Sequence, residues 1–173
     1  MALLATGLVV ACGDDEGGDD PAGGGSSGSG SGGTSPGGGG EGGAGEPVTC
    51  TDPTPPSGET LAIEGNYTDD FEGEHAITSE TWTSYGYVYN ISQFDNDEMF
   101  VIALGDQDSG GLAACVWNRF DWTEVDGDLY YCNTVFDAAT EQEALDAEPA
   151  DPSDPENGGC GEGSFPWTLL TPQ

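Results

Sequence analysis

Residues 118–136 read NRFDWTEVDGDLYYCNTVF, and the reading of this stretch decides the fold. Two β-rich runs flank Asp126-Gly127. Asp-Gly is a favoured two-residue type I′ turn, because both central residues take positive φ. The turn fixes the register of a hairpin: Val125 opposite Asp128, Trp122 opposite Tyr131 and Phe120 opposite Asn133. Side chains alternate along a strand, so Phe120, Trp122, Tyr131 and Val135 share one face, assigned to the core. Arg119, Asp121 and Thr123 share the other with Trp117 and Tyr130.

Working outward, further short β-rich runs fall at 61–67, 75–79, 81–85, 87–94, 99–104, 114–125 and 128–136. The separators are polar: 69–73, 95–98, 105–111 and 126–127. Short, evenly spaced strands with polar turns predict an all-β fold, a small antiparallel β-sandwich or barrel. After the hairpin, DAATEQEALDAE predicts one short helix, capped by Asp137 or Thr140, with Thr140 and Glu143 as a capping box and Pro149 ending it. SFPWTLL predicts a last strand or docking segment. Trp82, Trp117, Trp122 and Trp167, with the six tyrosines, are assigned to the core rather than to a ligand cavity.

The chain has 173 residues, with 33 acids against a single basic residue, Arg119. Residues 13–47 hold 17 of the 30 glycines and seven of the acids, with almost no apolar side chain. Such a stretch cannot bury enough surface to offset its ordering entropy and is predicted to be a disordered tether. A flexible coil of this length spans about 30–35 Å root-mean-square. It contains chance matches to G-x-S-x-G (residues 24–28) and G-x-G-x-x-G (Gly28, Gly30, Gly33), both without the strand and helix those motifs need. The rest, residues 48–173, carries 26 acids against Arg119. That charge excludes nucleic acid as a partner. Arg119, the lone cation in this field, is expected to pair with Asp121 or to lie against the Trp117 ring, in a structural role.

Ahead of the tether, the run from Ala2 to Ala11 is apolar apart from Thr6 and Gly7, and is too short to span a bilayer. It has the length of a secretory signal core, without a preceding Lys or Arg. Val9-Val10-Ala11-Cys12 resembles the bacterial lipobox. The resemblance implies a signal peptide over 1–11, cleavage before Cys12 and lipidation of that cysteine. Residues 12–47 would then be a lipidated linker and 48–173 an exported domain, monomeric and held at the outer membrane or cell surface. Two or three acyl chains anchor a protein almost permanently.

Four cysteines remain, an even number that suggests two disulfides in an exported domain. Cys132 faces Asp121, and Cys115 lies six residues along that strand, about 20 Å away. A Cys115–Cys132 bond is out of reach; Cys132–Cys160 with Cys50–Cys115 is the favoured pairing. The string W-N-R-F-D-W, then L-Y-Y-C, an Ala-rich helix, Gly-Cys and W-T-L also resembles a domain that recurs in bacterial surface lipoproteins of uncharacterised function. It would cover about residues 61–170, include Cys132 and Cys160, and imply no activity. IEGNY resembles the G-x-W opening strand of lipocalins, with Tyr67 in place of Trp.

Candidate chemistry is sparse. There is one histidine, His75, and no lysine, so nucleophilic catalysis lacks parts. His75 is assigned a structural or surface role. A carboxylate-pair hydrolase is a weaker alternative to a non-catalytic binding or structural domain. No protein cofactor is indicated, with calcium as the one candidate ion. The acidic turns at 69–72, 95–98, 106–108 and 151–156 offer oxygen ligands outside any EF-hand pattern, with Asp95, Asp97, Asp106 and Asp108 the chosen candidates. The remaining candidate ligands are a surface protein, a glycan or, for a lipocalin-like carrier, a small apolar molecule.

Overall fold

The structure is a computed structural model, described here for residues 49–161 and 165–173. The expected signal, Cys12 and the whole of the expected tether lie outside the described residues. Eight antiparallel strands follow one another around a closed barrel, each hydrogen-bonded to its neighbours in sequence and the last to the first. They are β1 (Gly65–Asp69), β2 (Glu74–Ile77), β3 (Thr81–Ser84), β4 (Tyr87–Asp95), β5 (Phe100–Gly105), β6 (Trp117–Val125), β7 (Asp128–Ala138) and β8 (Thr168–Pro172). Among the described residues one α-helix, α1 (Glu141–Asp146), packs outside. Of the two architectures expected, the barrel is the one formed.

The hairpin pairs as the Asp-Gly turn dictates. Val125 faces Asp128, Trp122 faces Tyr131 and Phe120 faces Asn133. Asp126 and Gly127 sit at φ 55° and 96°, the positive values a type I′ turn needs. Val135 is the exception. The register slips between Phe120 and Arg119, leaving Thr134 as an extra residue on β7. Strand alternation inverts beyond such a bulge, so Val135 faces outward, opposite Arg119. There it joins Ile102, Ala138, Ala144, Phe100, Trp117 and Leu145 in the layer that seats α1.

Aromatic rings fill the barrel interior. Trp82, fully buried, stacks on Phe120 at 4.6 Å between ring centroids. Tyr89 meets Phe120 edge-on at 5.1 Å, and Tyr131 tilts against Trp82 at 5.4 Å. Leu61 and Ile63, expected within the first strand, instead form a turn ahead of β1 and pack into the core. Tyr67 ties that turn down by donating its hydroxyl to the Ile63 carbonyl at 3.1 Å. Thr140 caps α1, its hydroxyl accepting from the Glu143 amide at 3.2 Å. The Glu143 carboxylate accepts from the amide of Ala139 rather than from that of Thr140.

Both disulfides join the favoured partners, Cys50–Cys115 and Cys132–Cys160, with Cα–Cα distances of 5.5 and 5.6 Å. They close separations of 65 and 28 residues. On the chain-entropy model each contributes about 4 kcal/mol.

Removing the Trp82 ring leaves a cavity that the closed barrel cannot collapse around. Trp82→Ala is expected to cost about 3–5 kcal/mol, read as a lower urea midpoint at unchanged m-value.

Candidate functional site

Two buried polar centres stand out against the apolar packing. The first lies where the barrel closes. Asp69 ends β1 and pairs with Leu170 of β8. Its carboxylate takes four donors: the amides of Phe71 and Gly73 on Oδ1 at 2.9 and 2.7 Å, and Tyr85 Oη and His75 Nε2 on Oδ2 at 2.6 and 3.1 Å. The first two donors come from the β1–β2 turn. Gly73 is required there, because a Cβ would sit 2.3 Å from the Tyr85 ring.

His75 continues the chain of hydrogen bonds inward. Its side chain and that of Asp69 are wholly removed from solvent. Trp82 Nε1 donates to His75 Nδ1 at 3.2 Å. An indole nitrogen can only donate, so the ring proton of the neutral imidazole sits on Nε2 and points at Asp69. Both ring nitrogens are thus occupied. His75 also meets Tyr131 edge-on at 5.1 Å. Of the two positions expected for this histidine, structural or surface, the buried one is found.

Charge and burial shift the acids around this centre. Burial raises the Asp69 carboxyl, but the bonds from Tyr85, His75, Gly73 and Phe71 outweigh it, and the net shift is downward. Tyr85 is pushed up to about 12 by burial, then by its hydrogen bond to Asp69 and the charge of that carboxylate. Burial, followed by the charges of Asp69 and Tyr85, also raises Tyr131.

The second centre is Arg119, on the outer face of β6. Nε donates to Asp121 Oδ1 at 2.9 Å, as expected. The ring it lies against is Phe100, 4.7 Å from the guanidinium carbon, and not Trp117. Phe100 opens the neighbouring strand β5 and pairs with Asp121, which brings its ring beneath the guanidinium. Trp117 instead helps to seat α1. Arg119 Nη1 donates to the carbonyls of Leu145 and Ala147 at 3.1 and 3.4 Å, the C-terminal end of α1. Asp121 Oδ2 accepts from Thr134 and from the Ala150 amide. Two residues of β6 thereby hold the helix and the following loop on the barrel wall.

The other candidates are dispersed. Trp122 and Tyr131 lie in the core, and Trp122 Nε1 has no hydrogen-bond partner. Asp95 and Asp97 occupy the β4–β5 turn, where Asp95 Oδ1 accepts from the amides of Asp97 and Glu98. Asp106 and Asp108 stand beyond the far end of β5, about 20 Å away along the strand. There Asp106 Oδ1 accepts from the Asp108 amide. One ion cannot take ligands from both turns. Among the described residues no three His, Cys, Asp or Glu side chains converge as a metal site.

Sequence reasoning missed a surface groove of about 920 Å³. Residues 133–137 of β7, the 147–151 segment, residues 159–161 and Phe165 line it. Its walls are distant in sequence, and the one local signal was Cys132–Cys160, which draws residue 160 to β7.

Three outcomes follow. Asp69→Asn places an amide NH₂ against two donors, and is expected to cost about 3 kcal/mol. Because the Asp69 pKa is lowered in the fold, its contribution is present above the unfolded value near 4 and is lost as pH falls through the folded one. Wild type should therefore lose stability below pH 4 more steeply than the Asn variant, by chemical denaturation across pH. Tyr85, raised, contributes below pH 10 and loses that contribution as pH climbs through about 12; ultraviolet titration should show one tyrosinate step near 12 that Tyr85→Phe removes. Arg119→Met should cost about 3–5 kcal/mol by stranding Asp121, whereas Arg119→Met with Asp121→Leu should recover most of it. No family model, curated protein or solved structure matches the chain, so the chemistry of these residues is what a functional assignment rests on.

Proposed function

We propose that the chain is a lipid-anchored protein of the bacterial cell envelope, attached to the outer membrane or cell surface through Cys12, and that its barrel is a non-catalytic binding or structural domain. The observation that carries this reading is the pair of disulfides. Such bonds persist in oxidising compartments, and they consume every cysteine except Cys12. That leaves the lipobox cysteine as the one thiol available for acylation.

The polar centres support a non-catalytic role. His75, the only histidine, has both nitrogens engaged and no solvent contact. Arg119, the only basic side chain, is spent on Asp121 and α1. Each group that elsewhere acts as base or anion clamp here secures the fold. The interior is likewise occupied: Trp82, Phe120, Tyr89 and Ile91 pack on one another where a carrier would hold an apolar ligand. Binding is therefore assigned to the outer surface.

The test is metabolic labelling with an alkyne fatty acid in a bacterial host. The wild-type chain should take up label and partition into detergent, and Cys12→Ser should do neither. Equal labelling of the two, or none in wild type, would overturn the anchor. Non-reducing peptide mapping of the exported chain should recover both disulfides.

A further inference from the structure

We infer that the groove beside the second half of β7 is a docking site for an extended, positively charged peptide segment of a partner protein, which adds to the β7 edge as a further strand. The inference rests on the reading of the barrel as a binding domain, and is independent of the lipid anchor.

The first observation is a ladder that stops early. β8 pairs with β7 only at Leu129, Tyr130 and Tyr131. β7 runs on to Ala138, held on its other side by β6 as far as Trp117. From Cys132 onward, no strand pairs with the β8 side of β7 among the described residues. An uncovered edge is a template for another chain, and proteins blunt such edges with lysine, proline, other charges or bulges. This stretch has a bulge at Thr134 and one acid, Asp137, but no lysine or proline.

The second observation is the groove beside that edge. One wall is residues 133–137 of β7, the other the 147–151 segment that Asp121 holds in place. Phe136 and Phe165 line it with 62% and 68% of their surface exposed. β7 continues for seven residues past Tyr131, a length of about 23 Å, enough for a strand of ordinary size.

The third observation selects the occupant. Asp137, Glu148 and Asp151 are the charged residues of the lining among the described residues. Arg119 and His75, the only residues in the chain that can carry positive charge, are not among them. A second copy would bring 33 acids against 33, and like charges across an interface cost several kcal/mol. A segment alternating Lys or Arg with apolar residues satisfies the edge, the aromatic rings and the carboxylates together. Backbone bonds would supply affinity and alternate side chains specificity.

The probe is a ten-residue Lys-Val repeat, titrated into the isotope-labelled full chain and followed by amide shifts and hydrogen exchange. Controls are a Glu-Val repeat and a Lys-Val repeat N-methylated at alternate residues, which keeps its charge but cannot pair as a strand. Binding should protect amides within residues 132–138, weaken about tenfold or more when the peptide is N-methylated, and fall with salt. Phe136→Ala, at an exposed position, should weaken it by about tenfold. Equal binding of the N-methylated peptide, protection outside residues 132–138, binding of the Glu-Val repeat, or no binding at millimolar peptide would overturn the inference. The same titration with Cys12→Ser separates it from the anchor. Loss of peptide binding with acylation intact would overturn the docking site alone.

Discussion

A buried carboxylate ties the β1–β2 and β3–β4 turns of this barrel together beside its seam. A closed sheet must join its last strand to its first, and here those strands are only five residues each. Asp69 stands at that joint, opposite Leu170, and gathers four hydrogen bonds from the first turn, from Tyr85 and from His75. Through His75 the same network reaches Trp82, and through Trp82 the stacked ring of Phe120. A continuous chain of contacts thus runs from the closing strand to the central hairpin. A buried charge is tolerable only when its lone pairs are filled, and the local turn, the Gly73 approach and the placement of Tyr85 all serve that end.

Arg119 plays the corresponding part on the outer wall. With one cation in the chain, its position fixes where a buried ion pair can form at all. That pair sits between the barrel and α1, and the guanidinium supplies the positive charge that a six-residue helix with no basic residue lacks at its C-terminal end. The groove beside β7 depends on it indirectly, because Asp121 also carries the Ala150 amide that sets the far wall.

Much of this was legible in the sequence because it is local. The Asp-Gly turn fixed the hairpin register, the register removed one disulfide pairing, and the favoured alternative is the one formed. Thr140 capped the helix for the same local reason. The misreadings arose where a local rule met a non-local one. A bulge at Thr134 reverses the alternation that placed Val135 inside, and Phe100 reaches Arg119 from a neighbouring strand, which no spacing within the hairpin reveals. The acidic turns looked alike in sequence, yet topology sets them at opposite ends of β5. The groove is assembled from three separate segments and left no contiguous trace.

The Cys50–Cys115 bond has a mechanical meaning. Cys50 precedes β1 by fifteen residues, and Cys115 lies just ahead of β6, two strands away from β8 and the seam. Without the bond, tension on the chain ahead of Cys50 would arrive at β1 and peel it from β8 one pair at a time, the weakest direction in which to load a sheet. With the bond, the load crosses to the loop leading into β6 and enters the barrel at its longest hairpin. Residues 51–64 then lie in a covalent bypass and carry no load. Pulled from its N-terminal side, the domain is thereby protected at the joint where two five-residue strands close the barrel.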